Sequence, residues 1–513
     1  MSRRVAIVLA LAALSVAGIV PIALGAEIRP GSCPAPATTW SATEKEVWQR
    51  FVCRGEVADL RARPDDKRKL SGTFLTNILL DEPWRPALPR QGVRIRGAVF
   101  DQKVTFDNAD LAGVLWLEDC LFNREVFFSQ TRSARLLSFD RSEFKEPLRL
   151  NAMKLGAPLF LRGVIAQNRI ELWGTSIAGA LFLSGSQLDS LFMQQANVAS
   201  DVVIYGARIQ YLQLGNATFG GNIVIGPTED QPSIVSKMRV EASKVAGRIT
   251  ITDAIIETPI VLRFASIGGN LEINGGTLRG IDMTGATISG EFRLVASKTG
   301  PPKWSGDEPS ILRNATARVI RIEGEPWPPK LDLRGFQFQL LGDGEDRSRS
   351  GARMPHRDVE PLLQWLGRST PYSPQPYEQV AHVLAGTGDD AAAREVRYAA
   401  REEERRLAQG WKKAWLTAVW LVIGHGYHLD RALYWVIGLL IVGVLVVRLS
   451  GEAKRHNLGS GVAFSFDRLV PVVKLRDQKV ELRPGVRQYF YVQQILGYVL
   501  ASFLVAGLSG LTK

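Results

Sequence analysis

Between residues 93 and 294 the chain repeats a short pattern, apolar-x-apolar-x-x-small-x-apolar, at a spacing of 11 with occasional steps of 10. A helix turns every 3.6 residues and a strand alternates every two, so no single element accounts for that period. The leading apolar pairs run Val104/Phe106, Leu115/Leu117, Val126/Phe128, Leu137/Phe139, Leu148/Leu150, Leu159/Leu161, Ile170/Leu172 and Leu181/Leu183. They continue through Leu191/Met193, Val202/Ile204, Leu212/Leu214 and Ile223/Ile225. A Pro-, Asp- and Ser-rich stretch, 226–237, reads as a loop, after which the register resumes at Met238/Val240 and runs to Ile281/Met283.

A second pair in each unit opens on a residue that is usually small, as in Ala109/Leu111, Cys120/Phe122, Ser142/Phe144, Thr175/Ile177 and Ala254/Ile256. Residues two apart on a strand share a face, so each pair points inward and the residue between points outward. Consecutive pairs lie alternately five and six residues apart, so two units close one coil of about 22 residues. A coil this small cannot bury its own apolar side and must stack on its neighbours. Residues 22 apart are then predicted to lie one above the other at roughly 4.8 Å. Phe106 should meet Phe128, Leu117 should meet Phe139, and Cys120 should meet Ser142. Trp116, Trp173, Phe127, Phe160 and Phe182 take outward positions, which makes them either a binding stripe or a surface for a flanking helix to cover.

The units Ala109-Asp110-Leu111-Ala112-Gly113 and Ala217-Thr218-Phe219-Gly220-Gly221 resemble those of pentapeptide-repeat proteins. The extra residue in every second face departs from the strict five-residue pattern, which makes the chain a degenerate relative. The resemblance implies a right-handed β-helix and little about activity. The expected fold is mainly β with α: a right-handed β-helix over 93–341, then an α-helical segment, then two C-terminal transmembrane helices.

The ends of the chain bear on placement. Arg3 and Arg4 precede an apolar run, 5–24, and small residues at Gly25 and Ala26, the layout of a signal peptide over 1–26. An uncleaved N-terminal anchor is the rival reading, since a run of this length can span a bilayer. Residues 27–92 are expected to cap the open solenoid end, with a helix over 42–51 and Trp40, Trp48 and Phe51 on its packed side. Cys33 and Cys53 flank that helix and are the candidate disulfide of an exported protein, with two unrelated buried thiols as the alternative. Cys120 falls on the small inward position of its unit. No histidine occurs between Glu27 and Met354 to activate it, so it reads as a core thiol.

Beyond 341 the period stops. A Gly- and Arg-rich linker opens the segment 342–410, followed by helical stretches at 359–366, 376–385 and 389–409, two of which resemble one tetratricopeptide hairpin. The run Arg401 to Arg406 reads as a solvated helix face. Residues 411–513 read as a membrane domain. Within it, 411–423 suits an interfacial helix, and spans are expected at about 430–449 and 489–511. The loop between the spans holds Arg448, Lys454, Arg455, Arg468, Lys474, Arg476, Lys479, Arg483 and Arg487 against four acids, which predicts that it faces the cytoplasm. The net charge of +12 then needs no nucleic acid. Gly497, Ala501, Gly507 and Gly510 on the second span suggest close packing within a homo-oligomer.

No nucleotide-binding loop, dinucleotide fingerprint, paired CxxC or HExxH occurs, and the sequence offers no catalytic or cofactor-binding residue. His425, His428 and Asp430 form a short cluster with too few ligands for a structural metal, so no metal site is assigned. Three functional classes stay open. The first is an extracytoplasmic membrane-anchored scaffold or binding module, with the bilayer and proteins on the solenoid face as partners. The second is a channel-like or signalling protein, because 464–471 between the spans resembles in outline a two-helix channel subunit without a selectivity filter. The third is an enzyme acting through an outer groove, which would require Glu118, Asp140, Arg141, Arg162 and Glu171 to converge.

Overall fold

The computed structural model describes residues 33–322, 324, 326–342, 358–456, 461–469 and 481–508. The signal or anchor segment 1–26 and nearly all of the linker 342–354 lie outside the described residues, as do Lys474, Arg476, Lys479 and Gly510.

Short parallel strands stack into a β-solenoid of about 11 turns. On one face Val93, Leu115, Leu137, Leu159 and Leu181 pair in sequence, each one full coil from the last. On another, Val104, Val126, Leu148 and Ile170 do the same. The step is shorter by one from Leu181 to Val202, and again from Val202 to Ile223. From Ile223 to Ile249 it lengthens to 26, where the loop is shorter than the expected 226–237: it takes in 227–233, and Ile234–Arg239 forms a strand paired with Arg208–Gln213. A second lengthening to 28, between Phe292 and Ile320, falls where the sequence pattern is irregular. Phe106 and Phe128 stack at 4.9 Å, and Phe100, Phe122 and Phe144 form an inner column at 4.8 and 4.6 Å.

The corners explain the alternation of five and six. Ala109, Thr131 and Ser142 each close a four-residue turn, their N–H groups donating to the carbonyls of Phe106, Phe128 and Phe139. The third residue of each turn, Asn108, Gln130 or Arg141, has a left-handed φ of 58 to 61°. Two residues span this corner, as Asp107 and Asn108 do, whereas three, 112–114, span the next one, and that third residue is the extra one in every second face. The small residue after the left-handed one points inward, and the hydroxyls of Thr131 and Ser142 reach the coil before. Thr131 Oγ1 donates to the Phe106 carbonyl at 2.7 Å, and Ser142 Oγ to the Leu117 carbonyl at 2.9 Å. A corner interrupts the ladder, and the hydroxyl gives the Leu117 carbonyl a partner there and the Phe106 carbonyl a second one beside the Ala109 N–H.

Both ends are covered. At the first coil, α1 (Ala42–Glu46) and α2 (Gly72–Leu80) bring Trp40 against Phe74 and Trp84, each at 4.9 Å. Cys33 and Cys53 are joined by a disulfide, with Cα atoms 5.8 Å apart. The sequence pattern does not single out α2. It packs so closely that a Cβ on Gly72 would come within 2.2 Å of the Lys103 carbonyl. At the far end α3 (Glu360–Gly367) and α4 (Pro374–Gly386) lie over the last coil. Gln379 Nε2 donates to the Phe338 carbonyl at 2.7 Å, and Gln375 Oε1 accepts from the Gly335 N–H at 2.8 Å. Two glutamines thereby occupy strand-edge groups that an open end would offer to another chain.

The chain continues through α5 (Asp390–Leu407), α6 (Gly410–Ile423), α7 (Leu429–Leu449), α8 (Glu452–Arg455), α9 (Val462–Leu469) and α10 (Pro484–Leu508). Two expectations are corrected here. Among the described residues one helix, Asp430–Leu449, is long and apolar enough to cross a membrane, not two. The 25-residue α10 is long enough but carries Arg487, Gln488, Gln493 and Gln494 in its first half. Nor, among the described residues, does a helix cover the outward aromatics. Cations lie across three of them, the Arg96 guanidinium 5.5 Å from the Trp116 ring, Lys103 Nζ 3.9 Å from the Phe127 ring and the Arg162 guanidinium 4.9 Å from Phe160.

Candidate functional surfaces

The five charged residues that a solenoid enzyme would need do not share a cleft. Glu118, Asp140, Arg141 and Arg162 fall on one corner because each stands either next to another in sequence or one full coil away. There the buried Glu118 accepts from Arg96 at 2.9 Å and from Arg141 at 3.1 Å, and the buried Asp140 is gripped by Arg162. Arg141 also reaches Asp119 at 2.8 Å. Each carboxylate meets the cation of a neighbouring coil, so the row ties coils together. The same device recurs at Asp282 with Arg263, at 2.7 Å. At Asp332, burial favours the neutral acid, yet Arg334 and Arg313 outweigh it and hold the carboxyl down at about 2.

Glu171 sits on a different corner, beside Arg169 and accepting from Asn151 Nδ2 at 2.8 Å. It borders a shallow depression of about 400 Å³ with Trp173, Phe192 and Gln194. Trp173 is half exposed, and Phe160 and Phe182 stack at 5.0 Å along another face. Cys120 is fully enclosed, and burial pushes its thiol up to about 12, so it is no nucleophile at neutral pH.

At the junction with the helices, a groove of about 740 Å³ runs between the last coil and α4, lined by Gln337, Gln339, Gln379 and His382. His425 is buried where α6 meets α7, with Nε2 3.5 Å from Glu402, and burial lowers its pKa. His428 points elsewhere, its Nδ1 3.9 Å from Asp430. Among the described residues no group of three histidine, cysteine or acidic side chains could hold a metal.

The sequence reading misses one polar site altogether. Gln493 on α10 and Ser465 on α9 are both fully buried, and Gln493 Nε2 donates to Ser465 Oγ at 3.0 Å. Ser465 Oγ in turn donates to the Leu440 carbonyl on α7 at 3.3 Å. Gly443 admits the pair, since a Cβ there would lie 2.1 Å from Ser465 Oγ. The only sequence signal is a Gln-Gln dipeptide inside an otherwise apolar run.

Compared with known proteins, the chain matches no family model, no curated protein and no solved structure.

Proposed function

We propose that this chain is a membrane-anchored β-solenoid, displayed outside the cytoplasm, whose outer faces hold partner proteins at the membrane surface. The observation that carries this reading is the outward apolar surface of α7. Leu433, Ile437, Ile441 and Leu445 are 46 to 55% exposed, and only 17% of the span is buried. The core helix of a soluble protein would show the reverse. Such a surface is unfavourable in water and costs nothing in hydrocarbon.

The two ends of α7 differ in a way that supports an orientation. Arg448, Arg455 and Arg483 gather at one end, while Tyr434 and Trp435 are exposed in the first turns at the other. Basic residues favour the cytoplasmic side and amphipathic rings favour the interface. The solenoid joins the aromatic end, which fits export directed by residues 1–26. In this reading the coil is right-handed, as the pentapeptide-repeat resemblance implies.

Trp173, Phe160 and Phe182, beside arginines, are residue types that dominate protein–protein contacts. The test is to place a photo-crosslinking amino acid at Trp173 or Phe160 in the full chain, in native membranes, and at Lys244 as a control. The chain should resist alkaline extraction and crosslink to distinct proteins from the two aromatic positions. Extraction into the supernatant, or identical crosslinks from all three positions, would count against it.

A further inference from the structure

We infer that the pocket between α4, α5 and the turn joining α6 to α7 holds the phosphate of an anionic phospholipid headgroup. The inference rests on the membrane reading above. The pocket, of about 760 Å³, is walled by Tyr372 and Tyr427, and Arg394, Arg397 and Arg401 line it from one side of α5. Residues three and four apart on a helix share a face, and these three follow that spacing. Glu395, Glu402 and Glu403 line a different pocket, on the other side of α5. The helix thus turns its arginines toward one pocket and most of its acids toward another.

Two carboxylates serve the basic side. Glu378 on α4 pairs with Arg397 at 3.0 Å, and Glu404 is shared by Arg401 at 3.0 Å and Lys412 at 2.9 Å. Among the described residues Arg394 has no acidic partner, and its Nε donates to the Asp390 carbonyl at 3.3 Å, which leaves both terminal nitrogens free. The Tyr427 hydroxyl makes no hydrogen bond among the described residues. A planar guanidinium takes two oxygens of one phosphate at once, and a phenol adds a further donor.

The level of the pocket points to lipid as the source of that phosphate. The 21 residues of α7 span about 31 Å at 1.5 Å per residue, which matches a hydrocarbon layer roughly 30 Å thick. Leu429, at its start, then stands at the edge of that layer, and Tyr427 lies two residues before it, among the headgroups. Arg431 Nη1 donates to the Trp420 carbonyl at 3.0 Å, which fixes the end of α6 to the first turn of α7. Trp420 Nε1 donates to the Tyr398 hydroxyl at 3.1 Å, which fixes α5 to the same level, with Arg397 and Arg401 on either side of Tyr398. Basic pockets at this depth take anionic headgroups. Phosphatidylcholine carries the same phosphate, but its quaternary ammonium is repelled by the arginines, so the pocket selects a headgroup of net negative charge.

The full chain, in a neutral detergent, is incubated with equimolar phosphatidylglycerol and phosphatidylcholine, and retained lipid is counted by native mass spectrometry. Phosphatidylglycerol should be retained in severalfold excess. Arg394→Gln should abolish that preference and Tyr427→Phe should reduce it. Arg406→Gln, which removes the same charge from the other side of α5, should leave it unchanged. Equal retention of the two lipids, or a preference in Arg394→Gln no different from that in Arg406→Gln, overturns the pocket. Inorganic phosphate should not displace the lipid, and displacement by phosphate at the lipid's own concentration overturns the headgroup in favour of the free ion. The anchor has its own readout, resistance to alkaline extraction from vesicles of phosphatidylcholine alone. Resistance without lipid preference overturns the pocket and leaves the anchor intact, whereas extraction overturns the anchor and the pocket with it.

Discussion

The backbone N–H of Cys120 donates to Ser142 Oγ at 3.0 Å, one coil away, and that hydroxyl donates onward to the carbonyl of Leu117 at 2.9 Å. One side chain thus completes two buried backbone groups at a corner where the ladder is broken. Ser142→Ala leaves both without that partner and should cost about 2 kcal/mol, since an unsatisfied buried group costs about 1–3 kcal/mol. Ser142→Thr keeps the hydroxyl, as Thr131 does at another corner, and should cost less. Denaturant unfolding followed by tryptophan fluorescence measures both, and equal losses would contradict the hydroxyl's role.

The left-handed corner residues invite a second test. Ala242 is exposed with φ 53°, a conformation that costs an L-residue about 1–2 kcal/mol. Glycine removes that cost but adds about 0.5–1 kcal/mol of chain entropy, so Ala242→Gly should stabilise by a few tenths to about 1 kcal/mol. Gly276→Ala should do the opposite and more strongly. Its φ is 83°, and a Cβ would stand 2.4 Å from the Ala254 carbonyl oxygen. Melting temperatures of the two variants should move in opposite directions.

Asp332 gives a pH dependence with a fixed sign. Its carboxyl is held at about 2, against an ordinary value of 3.8, because Arg334 and Arg313 outweigh the opposing effect of burial. A depressed folded value contributes stability that is complete above the ordinary value and is lost as pH falls from about 4 through 2. The contribution is on the order of 2 kcal/mol. Asp332→Asn should therefore destabilise at pH 7 and be nearly neutral at pH 2, which unfolding curves at the two values would show. A loss independent of pH would contradict it.

In the helical bundle, Gly497→Ala drives a methyl into the Leu469 carbonyl and Gly443→Ala drives one into Ser465 Oγ, at 1.9 and 2.1 Å. Both should lift α9 away from α7 and α10 without touching the solenoid. Proteolysis within α9 should speed up at least severalfold while the solenoid stays resistant. Unchanged cleavage would mean that α9 is not held by these contacts.

The solenoid is legible in sequence because every coil imposes the same demand: the inward pair at each face must be apolar, as Leu115/Leu117 and Leu137/Phe139 are. The corners are not legible. Asn108, Gln130, Arg141, Ala152 and Phe264 all adopt the left-handed turn and share no chemistry, because stacking on the neighbouring coils imposes it. The five charged residues are readable as charges, but only the coil register shows that four of them lie on one corner and Glu171 on another. Ser465 and Gln493 meet across 28 residues of chain, and no spacing rule brings them together.

The placement of the solenoid is tested most directly by a reporter enzyme that is active only outside the cytoplasm, inserted after Leu341 and, separately, after Arg455. The account predicts activity at Leu341, at the end of the last coil, and none at Arg455, at the basic end of α7. Silence at Leu341 with activity at Arg455 would contradict it.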